Sequence, residues 1–133
     1  MNMEALGAPA AAFQLAQTGA QIVEILSKIH NAPTWVKDRQ TQVQGLINMA
    51  KLISNNQSLR TALLQSLLNG CLKDATRLNN LLIGLSAKEE DGKIVRYWKS
   101  IVTVSKENKI LGIFARLEED KSALALCIAN TNS

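Results

Sequence analysis

One histidine, His30, is all that 133 residues contain, beside two cysteines and two prolines. A single imidazole has no second one with which to share a metal, and Cys71 and Cys127 lack the CxxC spacing of a zinc or redox site. Both cysteines stand alone in apolar helical contexts, which predicts two buried free thiols in a reducing compartment, not a disulfide. No metal and no cofactor is expected. Nucleophilic catalysis needs a base within reach of Ser, Thr or Cys. His30, at a helix end beside a turn, reads as an exposed C-terminal cap favoured by the helix dipole. The phosphate loop GxxxxGK[ST] is missing, and the glycines of "LGAPAAAFQLAQTGA" lack the preceding strand that dinucleotide binding requires. The acids Glu89–Asp91 and Glu118–Asp120 are consecutive in the chain, so their carboxylates fan apart over a solvated surface. The chain reads as a non-enzyme.

Aromatic residues are scarce as well, at 4%, while 47% of residues are hydrophobic. Leu, Ile, Ala and Val in long stretches with little proline favour helices and exclude intrinsic disorder. The net charge is +4, yet basic residues are interleaved with acids, as in "VKDR" and "ARLEEDK". Without a basic run or stripe, nucleic acid is not an expected partner. Between Glu4 and Glu24 there is no charge at all. The stretch lacks the basic start of a secretory signal. Gln14, Gln17, Thr18 and Gln21, with Gly7, Pro9 and Gly19, also dilute it too much for a simple transmembrane span. A cytoplasmic location is the expectation.

Apolar periodicity predicts an all-α, single-domain bundle of about five helices with a four-helix-bundle-like core. The first, about residues 8–29, carries Phe13, Ala16, Ala20, Val23 and Leu26 on one line and Leu15, Ile22 and Ile29 on another. It should be buried on two sides. "HNAP" stops it, with Asn31 as a cap and Pro33 in the first turn of the second helix, about 33–54. That helix aligns Val36, Val43, Ile47, Ala50 and Ile53. A third, about 58–85 and capped near Ser58, aligns Leu63, Leu67, Cys71, Leu78, Leu82 and Leu85. Its Gly70 marks a bend or a close approach. "SAKEEDGK" is a loop with an Asp91-Gly92 turn. A fourth helix, about 93–104, offers Ile94, Trp98, Ile101 and Val102. Ser105 is expected to cap the last helix, about 106–129, with Ile110, Phe114, Leu117, Leu124 and Ile128 inside and Glu118–Lys121 on its wet side. Residues 130–133 form a polar tail or the start of a linker to a further domain. No strand-like alternation of useful length appears.

Four segments, in order, resemble the N-terminal helical domains of fungal NLR-like receptors, which are signal-transducing STAND NTPases with a NACHT domain. They are "MEALGAPAAAFQLAQTGAQIVEILSKI", the "APxxV" connection in "HNAPTWVKDRQTQVQGL", "LLNGCLKDATRLNNLLIGL", and the closing "VRYWKSIVTVSKENKILGIFARLEEDKSALAL". The resemblance extends to the HeLo-like group of cell-death-inducing bundles. It implies a role in fungal innate immunity and heterokaryon incompatibility. The domain would promote regulated cell death by forming a homo-oligomer on activation and moving to the plasma membrane, where the N-terminal helix perturbs the bilayer. It further implies a downstream NTPase domain in a full-length receptor.

On that reading Leu6, Phe13, Leu15, Ile22 and Ile25 contact lipid or a partner copy. Lys28, Lys37, Arg39 and Lys51 attract anionic headgroups, at about 1 kcal/mol per basic residue near the surface. The alternative is an adaptor-docking module without membrane activity, with Trp35 as a contact; packing of Trp35 against a neighbouring helix competes with that role.

Overall fold

The computed structural model describes residues 7–56, 61–86, 96–97 and 102–131. They form four helices: α1 (Ala8–Ser27), α2 (Thr34–Asn55), α3 (Ala62–Ser86) and α4 (Val104–Thr131). The all-α bundle is therefore as expected, with four helices among the described residues where the sequence predicts about five. Of the fourth helix expected at about 93–104, residues 93–95 and 98–101 lie outside the described residues. Arg96–Tyr97 is a strand, β2, pairing in parallel with β1 (Ile29–His30) in the register Ile29↔Arg96, His30↔Tyr97. This two-residue ladder is too short for period-two alternation to reveal it. It shortens α1 and ties the α1–α2 connection to the α3–α4 connection at one end of the bundle. Ile94, Trp98 and Ile101 lie outside the described residues, as does the Asp91-Gly92 turn.

Caps account for the other boundary shifts. The first amide bonds of a helix lack partners, and a side-chain oxygen just before the helix supplies one. Thr103, not Ser105, does this for α4: the Lys106 amide donates to its Oγ1 at 3.2 Å, and the Glu107 amide to its carbonyl at 2.8 Å. For α3 the cap is Thr61, whose Oγ1 accepts from the Leu64 amide at 3.1 Å; Ser58 lies outside the described residues. Pro33 is the N-cap of α2 and sits before its first turn. Asn31 has a φ of 55° and supplies the left-handed step between β1 and α2 instead of a cap. The start of α1 has no side-chain cap; Gly7 contributes only its carbonyl, which accepts from the Ala11 amide at 2.9 Å.

Each helix buries one stripe. On α1 it is Ala8, Ala11, Ala12, Leu15, Gly19, Ile22 and Leu26, alternating three- and four-residue steps. Phe13, expected in the stripe, is 58% exposed. On α3 the stripe is Leu64, Leu68, Cys71, Ala75, Leu78 and Leu82, one position later at its start than the sequence suggests, with Leu63 left 63% exposed. Val36, Val43, Ile47, Ala50 and Ile53 of α2 are buried as predicted, with Leu46. On α4, Ile110, Phe114, Leu117 and Leu124 are buried and Ile128 is half-buried.

The packing order is α2–α1–α3–α4, with α2 and α4 meeting along a narrow seam. Gln21, late in α1, receives a 2.7 Å hydrogen bond from Asn79 Nδ2, late in α3, so these two helices run parallel. α1 is thus the wall between α2 and α3. Its approach to α2 depends on Gly19: a Cβ there would stand 2.7 Å from Ile47 Cγ1, well inside contact distance. Close approach belongs to this glycine and not to Gly70, where an added Cβ meets nothing within 4 Å. Gln40 Nε2 adds a 3.3 Å bond to the Val23 carbonyl. The α2/α4 seam is closed by an edge-to-face contact of Trp35 with Phe114, ring centroids 6.2 Å apart.

Candidate functional site

The helical geometry of α1 divides it into three. One third faces α2, one faces α3, and the outward third carries Phe13, Gln17, Gln21, Glu24 and Lys28, all exposed. Up to Glu24 this outward strip is uncharged, a rare condition for exposed helix surface. Beside it, between α1 and α2, runs an open groove of about 390 Å³ lined by Ala12, Phe13, Ala16, Gln17, Ala20 and Ile47, and by Lys51, Ser54 and Asn55 near the end of α2.

The basic residues singled out from sequence divide in this setting. Lys37 and Lys51 are 14 residues apart, close to four whole turns, so both project from the flank of α2 beside α1, roughly 21 Å from each other. Neither has an ion-pair partner among the described residues. Lys28 is held by Glu24 at 3.0 Å, an exposed pair that cancels its charge locally. Arg39 is turned to the other flank, where it donates from Nη1 to Gln42 Oε1 at 2.9 Å and lines a cleft with Glu118 and Glu119 of α4. Of the apolar contacts, Phe13 is accessible, Ile25 is half-buried, and Leu15 and Ile22 are fully enclosed. Lipid would reach Leu15 and Ile22 only with α1 out of its place. Leu6 lies outside the described residues. Trp35 is half-buried and occupied by Phe114.

A second polar feature escapes sequence reasoning. Asp120, expected on the wet side of α4, is half-buried and meets Asp74 of α3, which is 6% exposed. Arg116 Nε stands 3.5 Å from Asp74 Oδ1, and Cys71 lies close by on α3. Burial, the hydrogen bond to Asp74 and the Asp74 charge raise Asp120 to about 7; Arg116 opposes this and Glu119 adds to it. Burial, with Asp120 and Asp74 beside it, also pushes the Cys71 thiol far up, so it is an inert packing group and not a nucleophile. The two carboxyls line neither the α1/α2 groove nor the α2/α4 cleft, and lie inside the α3/α4 seam. The signal in the sequence was Asp74 itself, three residues after Cys71 and one before Ala75 on a buried stripe.

The sign of the resulting pH dependence follows directly. A carboxyl raised from 3.8 to about 7 on folding means that the folded chain holds a proton the unfolded chain releases. That contribution is complete below about pH 4 and disappears as pH rises through about 7. The urea midpoint of the wild type should therefore fall between pH 5 and 8 relative to that of Asp120→Asn, whose amide keeps the bond to Asp74 without titrating. Parallel pH profiles for the two proteins would remove the carboxyl pair from the account.

The described residues define an all-α bundle whose α1/α2 side bears a strip uncharged up to Glu24, with Phe13 exposed on it and Lys37 and Lys51 beside it. Both cysteines are buried and neither forms a disulfide. Among the described residues no helix is long and apolar enough to cross a membrane, and no cluster of His, Cys, Asp and Glu has the makings of a metal site. No protein-family model, no curated protein and no solved structure matches this chain.

Proposed function

We propose that this chain is a non-enzymatic signalling and effector domain of the kind found at the N-terminus of fungal NLR-like receptors. It self-associates when activated and perturbs anionic membranes through the face formed by α1 and α2. The supporting observation is the outward strip of α1: uncharged up to Glu24, bearing the exposed Phe13, and flanked on α2 by Lys37 and Lys51, which have no ion-pair partner among the described residues. An uncharged strip with an exposed phenyl ring beside cations suits a helix lying in the headgroup region, where insertion of Phe13 and attraction to anionic lipid act together. It does not suit a lone span. Because α1 is the main neighbour of both α2 and α3, its departure would also strip α2 of most of its packing. Contact from the packed position is the lower-energy first step, and release of α1 belongs to the assembled state.

Leakage of dye from phosphatidylserine vesicles tests the reading. The double variant Phe13→Asp, Lys37→Glu changes two exposed side chains and leaves the core intact. It should reduce leakage at least tenfold, through loss of apolar insertion and reversal of one charge. Undiminished leakage would overturn the assignment of this face. No vesicle binding by the wild type at any concentration would favour the adaptor-docking role.

A further inference from the structure

We infer that the α1/α2 groove is a binding site for a single-chain fatty carboxylate. The inference deepens the membrane-facing reading, since it names a ligand for part of the same face. Three properties carry it. The groove measures about 390 Å³, within the roughly 300–1,000 Å³ range of small-ligand clefts. Its apolar wall is the Phe13 ring, the Ala12, Ala16 and Ala20 methyls and the Ile47 side chain, surfaces that take a polymethylene chain, while the polar Gln17, Lys51, Ser54 and Asn55 complete the lining. Among the described residues the one ionisable group lining it is the Lys51 ammonium, beside the hydroxyl of Ser54, and no carboxylate of those residues lines the groove.

Alternative occupants fit less well. A partner helix is about 10–12 Å across, whereas α1 and α2 are in direct contact at Gly19 and Ile47 beneath the groove. A cationic amphiphile would face Lys51 with its own charge. A small anion such as phosphate would leave the apolar walls unused. A carboxylate carrying an acyl chain satisfies the ammonium by a charge-assisted bond and the walls by burial.

Titration calorimetry of the full chain with dodecanoate, below its micellar concentration, reads this out. One saturable equivalent should bind, and dodecyltrimethylammonium should not. Lys51→Glu should weaken dodecanoate by about tenfold or more, the usual scale for losing a charged hydrogen bond. Ala20→Trp places an indole in the groove from an exposed position, so it should abolish binding while the circular dichroism and urea midpoint stay close to wild type. Lys37→Glu, outside the groove, should weaken vesicle binding and leave dodecanoate untouched. No binding of dodecanoate to the wild type, equal binding of the cationic detergent, or full binding by Ala20→Trp would each overturn the inference. Vesicle binding without dodecanoate binding sinks the groove and spares the membrane reading; the reverse result spares the groove alone.

Discussion

Leu15→Ala should lower the unfolding free energy by about 2–5 kcal/mol, the range for removing a buried leucine and leaving part of its volume empty. Leu15 has no exposed surface and lies at the middle of the α1 stripe, between Ala12 and Gly19. Its neighbours are backbone-close, because the α1–α2 approach at Gly19 leaves no freedom for α2 to settle inward without displacing Ile47. The cost should therefore fall in the upper half of the range. Phe13→Ala, two positions away, should stay within about 0.5 kcal/mol of wild type, as exposed substitutions do. The pair dissociates structure from function, since Phe13→Ala should weaken vesicle contact and Leu15→Ala should matter chiefly through stability. Equal urea midpoints for the two variants would mean that α1 does not present Leu15 to the core.

Phe114→Ala should cost about 3–5 kcal/mol. Phe114 is 2% exposed and is the largest of the most deeply buried side chains. It also makes the edge contact that fastens α4 to Trp35 at the start of α2. α4 packs extensively on α3 alone, and its seam with α2 is thin. Removing the ring opens that seam and the α3 contact together. Leu126→Ala on the same helix, where Leu126 is 64% exposed, should change stability by less than about 0.5 kcal/mol. Both are read as shifts in urea midpoint at constant slope; a loss for Phe114→Ala no larger than that for Leu126→Ala would show that the α2/α4 seam is not closed.

What the sequence made legible was what a 3.6-residue period carries. The stripes of α2 and α4 are composed mostly of large apolar side chains at regular steps, and the predicted members are buried except Ile128, which is half-buried, while Leu46, Ile113 and Cys127 join the stripes from outside the predicted lines. α1 was harder because its apolar residues cover more than one face; periodicity placed Phe13 and Leu15 on two lines without saying which line the neighbours cover. Alanines on both sides gave no contrast. The start of the α3 stripe slipped by one position for a similar reason: Leu63 and Leu64 are adjacent and only one can point inward. Thr61 and Thr103 as caps are local chemistry, but each competes with a nearby serine of the same capacity, and the winner is set by how the connection is drawn. The strand pair Ile29–Arg96 is a contact between residues far apart in sequence, and no local pattern encodes it.

The candidate face was legible in part. The uncharged stretch between Glu4 and Glu24 is plain in the sequence, as are the lysines. Which lysines share a side of α2 with α1 follows only once the buried stripe of α2 is known, and this separates Lys37 and Lys51 from Arg39. The groove has no sequence signature, because a row of alanines is equally a tight helix contact or an open channel. The Asp74–Asp120 contact was hidden by the run Glu118–Asp120, where one acid of three turns inward.

The central claim is that α1 works from a packed position, with its Leu15 face held by α2 and α3 and its Phe13 face outward. Hydrogen exchange on the protein bound to phosphatidylserine vesicles tests it most directly. The account predicts that amides from Leu15 to Leu26 stay as protected as those at the centre of α3, while exchange from Phe13 to Gln17 slows further on binding. Amides of α1 exchanging at unfolded-chain rates, in solution or on the initial encounter with vesicles, while α3 stays protected would contradict it.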